Sequence, residues 1–478
     1  MNTPNVPEFA VLGHPNEGKS SLVSTLSEDD TVRISPYPGE TTRCRAFPVI
    51  IDGREILRFT DTPGFQNPRQ TLDWFEGSKR QGLSGIHGFI EEHRNDPMFR
   101  DECELFAPLG RGAFIIFVVD GSRPIRSNDR AEMAILGLTA LPRVAVINHK
   151  TDNTGHTEAW KKELALHFPV VTVFNAHLAS YGERLRLLAE LRSILPPDRI
   201  DLETVIEVFR KEWGRRNSLT AEHIVNLLDK ALSHSVKIKI TDKSQKDKEK
   251  KRLQELWASQ IRNMETETHQ SIRALFKHNI FDVDLPAHSL SAADLFDKET
   301  WKVLGMNRKE LAASTAALGA AAAATFDLAL VGHSLGLFTV IGGLAGAGSA
   351  LLGARRLGNV RVLGKTLGAY TLKAGPRHDL QFMMVLLDRA LIFYSHIINW
   401  AHGRRTDEKH TSGSAAVMEK QGFVSGLSQT DRRELIAFFN SLANQKKKPD
   451  ATARKRAFDA IVRVLDHISK KGNESGVF

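Results

Sequence analysis

The chain has 478 residues, of which 41% are hydrophobic, so it can build the cores of two or three domains. Its two cysteines, Cys44 and Cys103, exclude a disulfide-built scaffold and suit a reducing compartment. A net charge of +9 favours an anionic partner, either nucleic acid or an acidic lipid surface. The N-terminal residues lack the charged and apolar regions of a signal peptide, so we expect a cytoplasmic protein.

The first predicted element is an apolar strand at 9–12, which leads into a phosphate-binding loop and then a helix. The loop reads Gly-x-x-x-x-Gly-Lys-Ser and ends at Ser20. Its backbone N–H groups and the helix N-terminus would surround phosphates. In this pattern Lys19 reaches the β- and γ-phosphates, and the Ser20 hydroxyl ligates Mg²⁺. The predicted nucleotide contacts here are Gly13, Asn16, Glu17, Gly18, Lys19, Ser20 and Ser21.

A polar segment with two adjacent threonines follows at 38–43. A switch loop of this kind places one threonine hydroxyl on Mg²⁺ and its backbone near the γ-phosphate. Thr41 and Thr42 are therefore both candidate metal ligands. We expect Lys19, Asn16 and Thr42 to contribute to catalysis.

Two alternating runs, 45–51 and 55–59, are joined by an Asp-Gly pair and predict a β-hairpin. The second run ends in Asp-Thr-Pro-Gly. Asp61 of this sequence lies at a strand end beside the phosphate loop, where Mg²⁺ needs a carboxylate. Gly64 can donate its N–H to a γ-phosphate because it has no Cβ. Together with the phosphate loop, these features predict a GTPase.

These three segments resemble those of the TrmE–Era group of translation-factor-class small GTPases, and the resemblance extends to about residue 195. It implies a bacterial protein with an α/β P-loop domain, built on a mostly parallel sheet, that hydrolyses GTP with Mg²⁺. In TrmE-like members an Asn at the position of Asn16 helps bind K⁺; the alternative is a residue suited to turn geometry. Phe65 stands where Ras-like sites have a water-positioning Gln, so we expect slow hydrolysis without a partner.

The resemblance also implies which residues hold the base. The group has Asn-Lys-x-Asp after a buried strand, and this chain has His149, Lys150 and Asp152 at the corresponding positions. Lys150 would lie along the base, and Asp152 would accept hydrogen bonds from guanine. The Asn of the motif is either replaced by His149 or, after a one-residue shift, supplied by Asn148. Ala176 matches the Ala of the group's later Ser-Ala motif.

Composition divides the chain into four predicted regions. They are a GTPase domain at 1–197, a charged helical region at 198–306, an apolar Gly/Ala-rich segment at 307–358 and a basic helical region at 359–478. The GTPase domain carries an insertion at about 65–111 with helical patterns, which could contact a protein partner or a second copy. The basic region contains a strongly apolar helix at 379–400, expected to be core or a further membrane-facing segment.

The apolar stretch 311–353 has Asp327 as its only charged side chain. It is long enough to cross a bilayer, small residues recur at four-residue spacing, and both flanks are basic. These features predict a helical hairpin that enters the membrane and returns. The alternative is a soluble helical hairpin buried within the protein.

The favoured hypothesis is a GTPase whose nucleotide state controls a helical module associated with the cytoplasmic side of the inner membrane through anionic lipid. One alternative is an RNA- or ribosome-associated assembly GTPase. Nucleic acid is less favoured because acidic residues interrupt the basic run 243–252. Another alternative is a nucleotide sensor with little hydrolysis, suggested by His149 and Phe65.

Overall fold

The protein is described by a computed structural model. The residues whose structure it describes are 6–29, 32, 41–78, 81–149, 154–176, 179, 181–193, 202–240, 245–276, 295–296, 300, 304–306, 338–341, 361–362, 365–366, 370–377, 379–399, 422–443 and 450–474.

A six-stranded sheet in the order β2-β3-β1-β4-β5-β6 forms the first part of the chain. Its strands are β1 (Glu8–Leu12), β2 (Arg45–Ile51), β3 (Arg54–Asp61), β4 (Phe114–Asp120), β5 (Arg143–Asn148) and β6 (Val170–Val173). The β2–β3 pair is the predicted antiparallel hairpin, and every other pairing is parallel. The expected P-loop α/β fold is confirmed.

Helices cover both faces of this sheet. They are α1 (Lys19–Ser27), α2 (Pro68–Ser78), α3 (Gly82–His93), α4 (Arg100–Gly110), α5 (Ser127–Leu138), α6 (Thr157–Leu164) and α7 (Tyr181–Ser193). Alternate residues of β1 point to opposite faces, so Phe9 and Val11 pack with α1 and α7, whereas Ala10 and Leu12 pack with α2 to α6. The sheet is therefore buried on both sides, as parallel sheets usually are.

The insertion at 65–111 is helical, as predicted. It consists of α2, α3, a 3-10 turn at Pro97–Phe99 and α4. Phe75, Phe89 and Phe106 from its three helices pack against one another, with ring centroids 5.3–5.7 Å apart. This aromatic cluster fixes the three helices as one body beside the sheet.

The remainder of the described chain is mainly helical. Its helices are α8 (Leu202–Ser233), α9 (Lys246–Leu275), α10 (Leu380–Asn399), α11 (Gln429–Ala443) and α12 (Ala451–Glu474). Its strands are β7 (Val236–Ile240), β8 (Phe338–Ile341), β9 (Arg361–Val362), β10 (Lys365–Thr366) and β11 (Tyr370–Ala374). β9 and β10 form a short hairpin, and a second sheet has the order β7-β11-β8. Strand β7 lies within 198–306, which was predicted to be helical.

The four described residues of the apolar stretch 311–353 form β8, which pairs antiparallel with β11. The predicted helical hairpin is therefore wrong for 338–341. Its sequence, Phe-Thr-Val-Ile, is rich in the β-branched and aromatic residues that suit a strand. The rest of the stretch, including Asp327, lies outside the described residues.

Within the described part of the chain, α10 is the helix that is long and apolar enough to cross a membrane. It is largely buried in the protein. Its central Arg389 lies 2.5 Å from Glu265 of α9, and neighbouring Asp388 accepts hydrogen bonds from the backbone N–H groups of Gly305 and Val424. These internal partners favour the core interpretation of 379–400.

The long helix α8 belongs to two hydrophobic cores. Val205 and Phe209 near its start pack with the α/β core, whereas Ile224 and Leu228 pack with α9, α10 and α12. The predicted boundary at residue 197 lies just before this helix and outside the described residues. It stays a prediction.

Candidate nucleotide-binding site

The phosphate loop lies at the carboxyl end of β1, where the strand order reverses between β3 and β4. Crevices at such reversals are the usual ligand sites of open α/β sheets. Gly13 has a φ of 144°, and a Cβ there would lie 2.2 Å from the carbonyl oxygen of Val118. Only glycine therefore allows the loop to pass this close to β4.

Ser20, Thr41 and Asp61 meet at the start of α1. The hydroxyl of Ser20 donates to Asp61 Oδ2 at 2.7 Å, and that of Thr41 donates to the same atom at 3.3 Å. Thr42, predicted as an alternative ligand, is exposed. The Lys19 ammonium group donates to the carbonyl oxygen of His14 at 2.9 Å, across the inside of the loop.

This cluster fits a Mg²⁺ ion by its chemistry. Asp61 is 3% exposed, and its Oδ1 atom has no hydrogen-bond partner within the described chain. Burial raises the pKa of Asp61, while the Ser20 hydrogen bond and the charge of Lys19 oppose this rise. A hard cation with oxygen ligands would satisfy the orphaned carboxylate oxygen and favour its ionised form.

Asn16 has a left-handed backbone conformation with a φ of 66°. Asn adopts this conformation more readily than most residues, so loop geometry is one physical reason for its presence. Its side chain is exposed at the rim of the loop. The position is compatible with the predicted K⁺ role, which stays a prediction.

A largely buried ion cluster, not predicted from the sequence, packs against the phosphate loop. Arg123, in the loop between β4 and α5, donates to Glu17 at 2.7 Å and to Asp129 at 2.7 Å. Glu17 also accepts a hydrogen bond from the backbone N–H of Asp120. The Arg123 guanidinium lies over the ring of Trp160, 5.4 Å from its centroid. The side chain of Glu17 thus faces the protein, and its predicted nucleotide contact can come from its backbone alone.

A second buried acid contacts the loop. Glu132 of α5 lies 2.9 Å from Nδ1 of His14 and is fully buried. Burial raises the pKa of Glu132 to about 7, although the hydrogen bond with His14 opposes the rise. His14 of the phosphate loop therefore contacts a carboxyl group whose pKa lies near neutral pH.

Asn148, rather than His149, ties together the loops expected around the base. Its side chain donates to the carbonyl oxygen of Glu17 at 3.1 Å and accepts from the N–H of Ala176 at 3.1 Å. The ring of His149 lies 2.8 Å from the hydroxyl of Thr157, and burial lowers its pKa. These contacts favour the one-residue shift. Lys150 and Asp152 lie outside the described residues.

The segment after Asp61 packs between the phosphate loop and α4. A Cβ at Gly64 would lie 2.5 Å from the backbone nitrogen of Pro15, so Gly64 packs directly on the phosphate loop. Phe65 is completely buried in the aromatic core. Glu102 of α4 accepts from the N–H groups of Gln66 at 2.8 Å and Asn67 at 2.6 Å.

The same helix holds the residue that follows the threonine segment. Glu104 accepts from the N–H of Cys44 at 3.1 Å, and the Cys44 thiol donates to the carbonyl oxygen of Glu104 at 3.0 Å. Burial, the largest cause, raises the pKa of Cys44 to about 12, so this thiol stays protonated. One helix of the insertion thus contacts the residues that directly follow the threonine segment and the Asp-Thr-Pro-Gly sequence.

Residues 161–463 match the family model described as "Domain of unknown function (DUF3482)". The chain belongs to this family. The match begins inside α6, so the family model includes β6 and α7 of the α/β sheet. Residues 8–149 match a second model, described as "50S ribosome-binding GTPase", which covers the phosphate loop, the switch segments and the strand before the base motif.

Curated relatives match part of this family member. GTPase Der of Mycoplasma pneumoniae is 24% identical over 196 residues, covering 38% of each protein. The tRNA modification GTPase MnmE of Geobacter metallireducens is 31% identical over 142 residues, or 30% of this chain and 25% of MnmE. GTPase Era of Ureaplasma parvum is 39% identical over 66 residues, or 14% of this chain and 22% of Era. The chain thus spans two fifths or less of these proteins.

Solved structures show similarity over about half of the chain. Era in complex with MgGDPNP and a fragment of 16S ribosomal RNA has 19% identity and a TM-score of 0.29, covering 49% of this chain and 72% of that chain. A mutant of S. thermophilus NFeoB bound to GMPPNP has 15% identity and a TM-score of 0.25, covering 47% and 73%.

Proposed function

We propose that the protein hydrolyses GTP and that its nucleotide state is transmitted to the helical region formed by α8 to α12. The phosphate loop, the oxygen cluster at Asp61 and the similarity to GTPases support the first part. The observation that carries the second is the contact between Glu28, at the end of α1, and Arg216 of α8.

The chemistry assigned to this site is phosphoryl transfer to water. Such reactions depend mainly on positioning and on stabilising charge, not on covalent catalysis. Lys19 would contact the β- and γ-phosphates, and Ser20, Thr41 and Asp61 would hold Mg²⁺ directly or through water. The metal would neutralise charge on the phosphate oxygens. Phe65 is buried and has no hydrogen-bonding group, so it does not orient the attacking water.

Glu28 connects the nucleotide site with the helical region. The α1 helix begins at Lys19, and Glu28 caps its other end. The carboxylate of Glu28 lies 2.8 Å from Arg216 of α8 and 3.0 Å from Arg184 of α7. All three side chains are largely buried, so the ion cluster is shielded from water and salt. The chain runs from Glu28 into the predicted switch loop at 38–43, so a change in that loop would act on the Arg216 contact.

The coupling can be tested with Arg216→Met and the matched variant Arg215→Met. Arg215 directly precedes Arg216 in α8, pairs with Glu212 and is exposed. We expect Arg216→Met to change the ratio of GTP to GDP affinity by about five-fold or more, which is the usual lower range of coupling between sites. Arg215→Met should leave the ratio unchanged. Equal ratios in the wild type and both variants would remove the proposed coupling.

Nucleotide identity needs its own test. Lys19→Ala should abolish nucleotide binding, and Asp152→Asn should weaken GTP binding while favouring xanthosine triphosphate. Hydrolysis of GTP by the wild type, with little hydrolysis of ATP, is the expected result. Equal affinities for ATP and GTP would count against guanine selection, and GTP binding without turnover would favour a nucleotide sensor.

We further propose that the module associates with the cytoplasmic side of the inner membrane through anionic lipid. The low charge and basic flanks of 311–353 support this. The exposed basic residues of α12 give weaker support, because Arg454 and Arg463 form ion pairs with Glu222 and Asp431. Fractionating cells into membrane and soluble pools, with and without a high-salt wash, tests this association.

The second candidate is an RNA- or ribosome-associated assembly GTPase. It is favoured by the family model named for binding the 50S ribosome and by the RNA in the Era complex. Co-sedimentation with ribosomal subunits in the presence of a non-hydrolysable GTP analogue would support it. Membrane fractionation independent of ribosomes would favour the lipid proposal.

A further inference from the structure

One face of the second sheet carries a concentration of lysines. In the antiparallel pairing of β7 with β11, Lys237 lies directly opposite Lys373, and Lys239 lies opposite Thr371. Side chains alternate along each strand, so these residues share one face. Ile240 and Leu372 on the other face pack into the helical core.

The lysine face (Lys237, Lys239 and Lys373) has no carboxylate partner within the described part of the chain. Like charges directly opposite one another on two strands repel. Lys237 and Lys239 are exposed and Lys373 is half-buried, and no carboxylate among the described residues pairs with any of them. Elsewhere in this region, buried Arg389 pairs with Glu265, and Arg454 of α12 pairs with Glu222. An external anion would reduce the repulsion among these three lysines.

Strand β8, the third strand of this sheet, indicates which class of anion the lysine face would bind. Thr339 of β8 pairs with Lys373, so the lysine face adjoins the apolar stretch 311–353. The described residues of this face on β7 and β11 include no aromatic side chain, so they provide no platform on which bases could stack. Lysines bind phosphate as point charges and are attracted to anionic bilayers.

We propose that the lysine face binds the phosphates of anionic lipid headgroups beside the apolar stretch. This inference rests on the proposed membrane association. It adds the surface that would make the association selective for anionic lipid. The three lysines would lie at headgroup level, where the apolar stretch meets the bilayer. The attraction is electrostatic and therefore falls as salt is added.

The test uses the full chain and vesicles of phosphatidylcholine, alone or mixed with phosphatidylglycerol. The variant is Lys237→Gln/Lys239→Gln/Lys373→Gln. The matched control is Lys455→Gln/Arg456→Gln/Lys470→Gln, which removes the same charge from exposed positions of α12. We expect the first variant to bind mixed vesicles roughly 100-fold more weakly, at about five-fold per lysine. The control should bind like the wild type, and both should retain wild-type melting and GTP binding.

The outcomes separate the two proposals. If the wild type binds neither kind of vesicle, membrane association itself fails. If the wild type binds mixed vesicles and the lysine variant binds equally well, or the α12 control loses as much, the lysine face is not the lipid site. A lysine variant that loses RNA binding in a gel-shift assay but keeps vesicle binding would overturn the inference in favour of nucleic acid.

Discussion

Arg123 donates two hydrogen bonds to Glu17 of the phosphate loop, at 3.0 and 2.7 Å, across 106 positions of sequence. The same guanidinium donates to Asp129 at the start of α5. A planar fork suits two carboxylates, and a point-charged ammonium does not. The shape of the phosphate loop therefore depends on an arginine that need not contact the nucleotide.

Replacing Arg123 should weaken nucleotide binding although none of the residues predicted to contact the nucleotide is changed. Arg123→Ala leaves two buried carboxylates unpaired, which costs about 3 kcal/mol or more. We expect lower thermal stability and weaker GTP binding, and Arg123→Lys should restore only part of either. Calorimetry of both variants checks this. Wild-type nucleotide affinity in Arg123→Ala would show that the loop keeps its shape without the fork.

Asn148 and His149 offer a direct comparison of two candidates for one motif position. Asn148→Ala removes two buried hydrogen bonds and leaves their backbone partners unsatisfied, a loss of about 1–3 kcal/mol. We expect about ten-fold or greater weakening of GTP binding. His149→Ala removes one contact with Thr157 and should have a smaller effect. The reverse order of the two affinities would assign the position to His149.

Glu132 should make stability depend on pH. Its folded pKa of about 7 lies above the ordinary value of 4.5, so the folded state holds its proton longer than the unfolded state does. Stability from this group is therefore fully present below about pH 4.5 and is lost as pH rises through 7. The acid faces His14, Asp129 and Lys19. The His14 contact and the charge of Lys19 oppose the effect of burial on the pKa of Glu132, whereas the charge of Asp129 adds to it.

Thermal melting between pH 5 and 8 measures this contribution. Glu132→Gln cannot ionise and so does not lose stability by this route. The melting temperature of the variant should therefore rise relative to that of the wild type as pH increases. Glu158→Gln serves as a control because Glu158 is exposed and pairs with Lys161 on the surface. A constant difference between the wild type and Glu132→Gln across this range would mean that Glu132 titrates normally.

The role of Asn16 can be separated from its backbone conformation. Turnover of GTP in matched KCl and NaCl should be faster in K⁺ for the wild type. Asn16→Gly keeps the left-handed conformation without strain but removes the amide oxygen. We expect this variant to lose the K⁺ stimulation. Stimulation retained in Asn16→Gly would leave Asn16 with a purely conformational role.

The sequence predicted those parts of the site that are local or that belong to recognisable motifs. The phosphate loop, the β2–β3 hairpin and the meeting of Ser20 with Asp61 follow from spacing and turn chemistry. Thr41 and Thr42 could not be distinguished because adjacent residues share the same motif. Asn148 could be recognised as an alternative because a polar residue ends an otherwise apolar strand.

The supporting residues could not be predicted because their partners are distant in sequence. Glu102 and Glu132 are buried carboxyl groups of helices and Arg123 lies in a loop, and no periodicity marks these charged residues as supports of the site. Their role depends on how α4 and α5 pack beside the loop. Strand β8 was misassigned for another reason: an apolar run suits a strand as well as a helix, and hydropathy alone does not distinguish the two.

The position of α8 bears on how such a chain could have been assembled. Its first turns complete the hydrophobic core of the α/β sheet, and its later turns begin the helical core. A gene fusion joined at residue 197 would deprive the nucleotide-binding part of Val205, Ile206 and Phe209 and leave apolar surface open to water. The match to the family model starts at residue 161, so it likewise includes part of the α/β sheet together with the helical region. The two halves therefore share α8 as a common core helix, and exchange of either half requires an α8 that fits both cores.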